Sequence, residues 1–306
     1  MRLVFAGTPV PAVPSLRRLA ASAHDVAAVV TRPDAPLGRK RVLTPSPVAV
    51  AAEELGIPTI RAARLDAAAS DRIAALQPDL GVIVAYGGLV REPLLSAPRY
   101  GWINLHFSLL PAWRGAAPVQ HALIAGETTT GATVFRLVPE LDAGDVFDQL
   151  TYPVPPGATA GDVLDALAHR GAYLVEGVVD ALEAGTAVAH PQSGTPTFAP
   201  KLSAEDGLLR WDEPADRILS RFRGTTPEPG AFTTVDGTRV KILEAAPADD
   251  DIALAAGHIA AAGGAILVGT ASLPVALGRV QPAGKGPMDA SDWWRGLRSL
   301  DPVAGR

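Results

Sequence analysis

Cysteine is absent from this chain of 306 residues. That excludes both a disulfide framework and a thiolate metal site. Long apolar runs are missing as well: Asp25, Arg32 and Asp79 interrupt the best stretches before they reach membrane-spanning length. No charged-then-apolar leader opens the chain, because Arg2-Leu3-Val4-Phe5-Ala6 reads at once as a strand. The expectation is a cytoplasmic protein away from membranes. No paired His, Asp or Glu spacing points to a metal. Gly7-Thr8-Pro9, after the first strand, lacks the Gly-x-Gly-x-x-Gly pattern of a dinucleotide site and reads as a strand-to-helix turn near a substrate. A basic balance is lacking too. The formal net charge is −5, whereas a protein that grips long duplex is basic over its surface. A nucleic-acid partner then has to be held by a local patch.

What is present fits a globular enzyme, with 48% hydrophobic and 19% charged residues. The length is enough for two domains. In the first half the pattern predicts apolar strands over 3–6, 26–30, 80–85 and 103–105. They alternate with helices over 13–21, 48–55 and 71–76. Such alternation argues a Rossmann-like α/β domain with a parallel sheet covered on both faces. Strands over 133–138 and 146–154 flank an acidic turn, and apolar spacing predicts a long helix over 162–182. Residues 190–203 are rich in proline and small polar residues and read as a linker. The expected layout is a catalytic domain over 1–189 and a C-terminal domain over 204–306. In the latter, short strands over 208–211, 230–235, 239–243, 264–268 and 275–280 suggest a small β domain. Asp236-Gly237 is a hairpin-turn signal between two of them.

The most informative stretch is Asn104-Leu105-His106-Phe107-Ser108-Leu109-Leu110-Pro111-Ala112-Trp113-Arg114-Gly115-Ala116-Ala117-Pro118. Residues two apart on a strand share a face, so Asn104 and His106 point the same way. Pro111 lacks the N–H to continue a ladder, which leaves the polar pair at the rim of a sheet beside an apolar loop. Asp142 lies downstream in the turn-rich Glu140-Leu141-Asp142-Ala143-Gly144-Asp145. An amide, an imidazole and a carboxylate are the groups needed to move an acyl group between amines. Taken singly, Asn104 and Asp142 read equally well as turn or cap residues. His24, His121, His169, His190 and His258 lack comparable surroundings and read as structural.

The segment resembles the Asn…His…Asp core of the formyltetrahydrofolate-dependent transformylases. Phe5-Ala6-Gly7-Thr8-Pro9, Thr44-Pro45-Ser46-Pro47, Val84-Ala85-Tyr86-Gly87 and Gln281-Pro282-Ala283-Gly284-Lys285 extend the resemblance over nearly the whole chain. It implies an OB-like barrel for the C-terminal domain and 10-formyltetrahydrofolate as cosubstrate, with no metal. Asn104, His106 and Asp142 are the implied catalytic residues. Asn104 serves an oxyanion, His106 is the acid or oxyanion donor, and Asp142 raises the pKa of His106 and accepts protons. Tyr86, Gly87, Ser108, Leu109, Leu110 and Pro111 form the implied pterin slot, with Gly7, Thr8 and Arg114 at its mouth. The basic loop Gly38-Arg39-Lys40-Arg41 and Lys285 resemble the tRNA-directed members, which implies initiator methionyl-tRNA as partner and a monomeric enzyme. The loop is one residue shorter than the family pattern and lacks its inner glycine. Gly286 stands where a second lysine is common. The alternative is a sugar-nucleotide or small-amine formyltransferase of the same superfamily, sharing Asn104, His106 and Asp142.

Overall fold

The computed structural model describes all residues except 39, 40, 249–251, 298, 300 and 306. The chain forms two units: residues 1–118, 129–153 and 164–199 in the first, and 119–128, 154–163 and 200–306 in the second.

Up to residue 199 the chain runs through β1 (Arg2–Gly7), α1 (Val13–Ala20), β2 (Asp25–Thr31), β3 (Ala35–Leu37), β4 (Val42–Thr44), α2 (Pro47–Glu54) and β5 (Thr59–Arg61). Then come α3 (Ala67–Ala74), β6 (Leu80–Val84), β7 (Trp102–His106), β8 (Arg114–Gly115), α4 (Pro118–Ile124), β9 (Thr129–Arg136), β10 (Val146–Pro153), α5 (Ala160–Ala184) and β11 (Phe198–Ala199). Seven strands make one sheet in the order β10-β9-β7-β6-β1-β2-β5. Strands β5, β2, β1, β6 and β7 are parallel, while β9 and β10 run antiparallel at one edge. Leu3, Val4, Phe5 and Ala6 are fully buried, which is why the parallel strands read as unbroken apolar runs. The edge strand β10 is half solvated and its sequence, Val-Phe-Asp-Gln-Leu-Thr-Tyr-Pro, is accordingly mixed.

Caps decide where the helices start. Ser46 accepts a hydrogen bond from the Ala49 N–H at 3.0 Å, with Pro47 in the first helical position of α2. Asp66 does the same for Ala69 at 2.9 Å. It starts α3 at Ala67, four residues ahead of the predicted start at Asp71.

Strand order also places the site. From β1 the chain builds outward through β2 to β5, then returns to lay β6 on the other side of β1. Ligands of open α/β sheets bind at such a reversal, beyond the carboxyl ends of the strands. Gly7 pairs with Val84, and Val84 with Leu105, so Thr8, Ala85 and His106 leave the sheet side by side.

The register between β6 and β7 rests on Gly81. A Cβ there would sit 2.1 Å from the ring of Trp102. That indole is fully buried and donates to the Leu94 carbonyl at 2.9 Å. Gly81→Ala is therefore expected to cost about 1–3 kcal/mol by overpacking, read as a lower urea midpoint. An unchanged midpoint would show that the indole moves freely.

In the second unit, α6 (Ala215–Thr225) precedes β12 (Phe232–Val235), β13 (Thr238–Ile242), β14 (Ala245–Pro247), β15 (Ile259–Ala262), β16 (Ala265–Val268), β17 (Val275–Leu277), β18 (Arg279–Pro282), β19 (Met288–Asp289) and α7 (Ala290–Arg295). Two four-stranded antiparallel sheets, β12-β13-β18-β19 and β14-β17-β16-β15, share one core with Trp211, Ile218, Phe222, Val268 and Trp293. This is the β-rich domain expected after the Rossmann-like one. Asp236 and Gly237 both have positive φ, 48° and 71°, as a tight hairpin turn requires. Residues 208–211, predicted as a strand, form only an isolated bridge from Leu208 to Phe232. Their apolar character has another cause: Leu209 and Trp211 are core residues, and the Trp211 indole donates to Thr233 Oγ1 at 2.9 Å. Helix α6 escaped the sequence reading, although Ile218 and Phe222 sit four apart on its buried face.

Candidate active site

Strand β7 delivers Asn104 and His106 to the carboxyl rim on one face. His106 is 6% exposed, with the Phe135 ring edge-on at 6.4 Å. Its Nε2 lies 2.8 Å from the Trp113 carbonyl oxygen. A carbonyl only accepts, so Nε2 carries the hydrogen and Nδ1 of the neutral ring holds a lone pair. Nδ1 faces Asp142 Oδ2 at 3.7 Å. Asp142 Oδ2 accepts from the Gly115 N–H at 2.8 Å, and its side chain is 11% exposed. Asn104 Oδ1 is buried without a hydrogen-bond partner among the described residues. A buried acceptor left open is costly.

Burial pushes the His106 pKa below the ordinary histidine value. The Asp142 carboxylate and the Trp113 carbonyl pull the other way and do not overcome it. Asp142 thus raises the pKa of His106 as the sequence reading expects of a nearby anion, but desolvation of the imidazolium, which that reading did not include, outweighs it and sets the net direction. Titration of His106 by NMR is expected to give a midpoint below 6.5, with Nε2–H as the neutral tautomer. Asp142→Asn removes an interaction that favours the charged form, so the midpoint should fall further. A rise in that variant would contradict the geometry.

The apolar loop after His106 is braced from below. Thr133 Oγ1 donates to the Ser108 carbonyl at 2.7 Å and accepts from the Leu110 N–H at 3.2 Å. Gln149 Nε2 donates to the Leu110 carbonyl at 3.0 Å and to Thr133 Oγ1 at 2.9 Å. Ser108 is fully buried and its hydroxyl donates to the Ala112 carbonyl at 2.6 Å. Of the predicted slot residues, Leu109 and Pro111 are half-buried and Leu110 is 6% exposed. Tyr86 packs in the core below the sheet, its hydroxyl donating to the Ala62 carbonyl at 3.1 Å. Its ring is thus occupied, which leaves the backbone of Ala85 to Gly87 at the rim. Gly87 is exposed, Gly7 is buried and Thr8 is half-buried.

Arg114 does not extend freely into the mouth. Its Nε and Nη2 donate to Gln192 Oε1 at 3.2 and 2.6 Å. Arg41 is exposed in the β3–β4 hairpin of the first unit, and Lys285 is exposed on the second unit after β18. Arg39 and Lys40 lie outside the described residues. Among the described histidines read as structural, His24 pairs with Asp180 at 2.9 Å, and His121 sits 2.9 Å from the Pro200 carbonyl.

The stretch read as a linker is part of this site as far as Ala199. His190 bridges Val146 antiparallel. Gln192 Nε2 donates to the carbonyls of Asp142 and Gly144 at 2.8 and 2.9 Å. Thr197 Oγ1 accepts from the Trp113 N–H at 2.9 Å, and β11 pairs with β8 in parallel. Gly115 has φ +124° and a Cβ there would lie 2.7 Å from the Ala199 carbonyl, so only glycine lets the strap approach. The prolines that suggested a linker leave this segment short of periodicity, and nothing in its composition marks Gln192 or Thr197.

Residues 1–179 match the family model for formyl transferase, and residues 201–298 match that for the formyl transferase C-terminal domain. The chain belongs to the formyl transferase family. Methionyl-tRNA formyltransferase of Clavibacter sepedonicus is 63% identical to it over 304 residues, covering 99% of this chain and 100% of that protein. Among solved structures, the N-formyltransferase of Helicobacter canadensis has a TM-score of 0.69 at 16% identity, over 90% of this chain and 98% of that one. Methionyl-tRNA formyltransferase of Clostridium thermocellum has a TM-score of 0.59 at 15% identity, over 81% and 94%. At such low identity the two structures share the fold. The strap carrying Gln192 and Thr197 falls between the two formyl transferase matches.

Proposed function

We propose that the chain transfers the formyl group of 10-formyltetrahydrofolate to the amino group of methionyl initiator tRNA. The observation that carries this reading is end-to-end kinship at 63% identity with a methionyl-tRNA formyltransferase, through both domains. The arrangement of Asn104, His106 and Asp142 suits the chemistry. When bound, the folate supplies a formyl carbon on a nitrogen that can leave. The neutral amine attacks that carbon, and the carbonyl oxygen becomes an anion. Asn104 Nδ2 donates to that oxygen, and Oδ1 accepts from the amine. His106 takes the amine proton on Nδ1, since Nε2 is committed to Trp113. Asp142 stabilises the imidazolium so formed. The proton then passes to the departing folate nitrogen as the old C–N bond breaks and the carbonyl re-forms. The loop of Leu109, Leu110 and Pro111 offers the pterin an apolar wall, with the backbone of residues 85–87 opposite.

The tRNA is read as an end-on partner held by local cations: Arg39, Lys40 and Arg41 in the first unit and Lys285 in the second. Purified protein with the formyl-folate and either charged initiator tRNA or an amino-sugar nucleotide tests the reading. Transfer to the tRNA is expected, and transfer to the sugar nucleotide alone would overturn it. Alanine at Arg39, Lys40 and Arg41 should raise the KM for tRNA, leave that for folate nearly unchanged, and flatten the fall of activity with salt, because fewer counterions are released. Untouched tRNA kinetics would reduce the loop to a solvated turn.

A further inference from the structure

We infer that Gln192 is a positioning residue that holds the two partners of His106 at a fixed separation, by bridging the loop of Trp113 to Gly115 and the loop of Asp142 to Gly144. The inference rests on the formyl-transfer reading of the site. His106 is gripped from two sides: Nε2 by the Trp113 carbonyl at 2.8 Å, and Nδ1 by the field of Asp142 at 3.7 Å. These partners belong to different loops, 29 positions apart in sequence as the residue numbers give it. Among the described residues, two hydrogen-bonded links are seen between the loops. One is the Gly115 N–H to Asp142 Oδ2. The other is Gln192, whose carboxamide uses both ends at once. Its oxygen accepts from Arg114, and its NH₂ donates to the Asp142 and Gly144 carbonyls.

That geometry asks for glutamine. The NH₂ supplies two donors and the oxygen two acceptor sites, and all four contacts are made. Asp142 stands at φ 47°, a conformation that side chains other than glycine adopt rarely. Its carbonyl accepts from Gln192 Nε2 at 2.8 Å, a bond made in this conformation. Without the bridge Asp142 can relax, and Nδ1 loses its fixed anion. Glutamate keeps the Arg114 side and turns oxygen toward two carbonyl oxygens on the other side. It therefore separates an anchor for Arg114 from a bridge between loops.

The experiment compares Gln192→Glu and Gln192→Ala, each alone and combined with Asp142→Asn. As a bridge, Gln192→Glu should lower kcat as much as Gln192→Ala, by about 10- to 100-fold, as sub-ångström misplacement of catalytic groups does. The KM for tRNA should stay within a few-fold. In the Asp142→Asn background either change should cost little more, because Gln192 acts through Asp142. The NMR titration midpoint of His106 should fall in the Gln192→Ala variant, which adds no charge of its own, because Nδ1 loses its fixed anion. The new carboxylate of Gln192→Glu would by itself push the midpoint up and so decides nothing by titration. That readout needs no substrate, so it stands even if the acceptor proves not to be tRNA. Near-normal kcat in Gln192→Glu, or an unmoved His106 midpoint in a folded Gln192→Ala variant, overturns the proposal. If Gln192→Ala does not fold, the kcat of Gln192→Glu, alone and combined with Asp142→Asn, still decides.

Discussion

A His106→Ala variant is expected to keep its fold and lose formyl transfer by about 10²–10⁴-fold, the range for removing a positioned proton acceptor or charge stabiliser. The ring is one of the few buried polar side chains of the first unit, and it is held neutral, with its free lone pair toward Asp142. Alanine leaves Asp142 without a cation to stabilise and the amine without an acceptor. Asp142→Ala should fall in the same range for the complementary reason: the imidazolium would form in a desolvated pocket with no anion beside it. Single-turnover rates at saturating folate and tRNA give the measurement, with circular dichroism to confirm folding. Turnover within a few-fold of wild type in either variant would remove the pair from the reaction.

Asn104→Asp should be nearly as damaging, about 10²–10³-fold, as for the loss of one oxyanion donor. The change is almost isosteric, so its cost isolates electrostatics. The carboxylate replaces an N–H donor by a negative oxygen where the formyl oxygen becomes negative. It also adds a second anion near His106, which raises the titration midpoint of the ring. A folded variant with near-normal turnover at neutral pH would deny Asn104 its role. A midpoint that failed to rise would place the side chain off the face it shares with His106.

How the site came to be legible follows from the kinds of order involved. The Asn104 and His106 pair was readable because strand periodicity is local: two residues apart means one face, whatever the rest of the chain does. The parallel strands were readable because burial on both faces leaves uninterrupted apolar runs. The end of β7 was marked by proline chemistry. Asp142 was nameable through the resemblance, but its 3.7 Å approach to Nδ1 required β9 and β10 to fold back beside β7. Antiparallel pairing of that kind brings together residues far apart in sequence, and no local pattern encodes it.

What only the tertiary structure decided is consistent with that divide. Composition alone called residues 190–203 a linker, because prolines and small polar residues suppress periodicity. Yet Gln192, Thr197 and Ala199 fasten the loops on both sides of His106. Only the packed chain shows that the hydroxyls of Tyr86 and Ser108 donate to the Ala62 and Ala112 carbonyls. The sign of the His106 shift was beyond the sequence as well, since it is a contest between a neighbouring charge and desolvation, and burial exists only once the chain has packed. By itself the sequence determined the fold class and the family and named the candidate site residues, all carried by short-range pattern and motif. The spacing of those groups, their protonation and the strap that holds them belong to contacts across tens of residues, and only the folded chain supplies these.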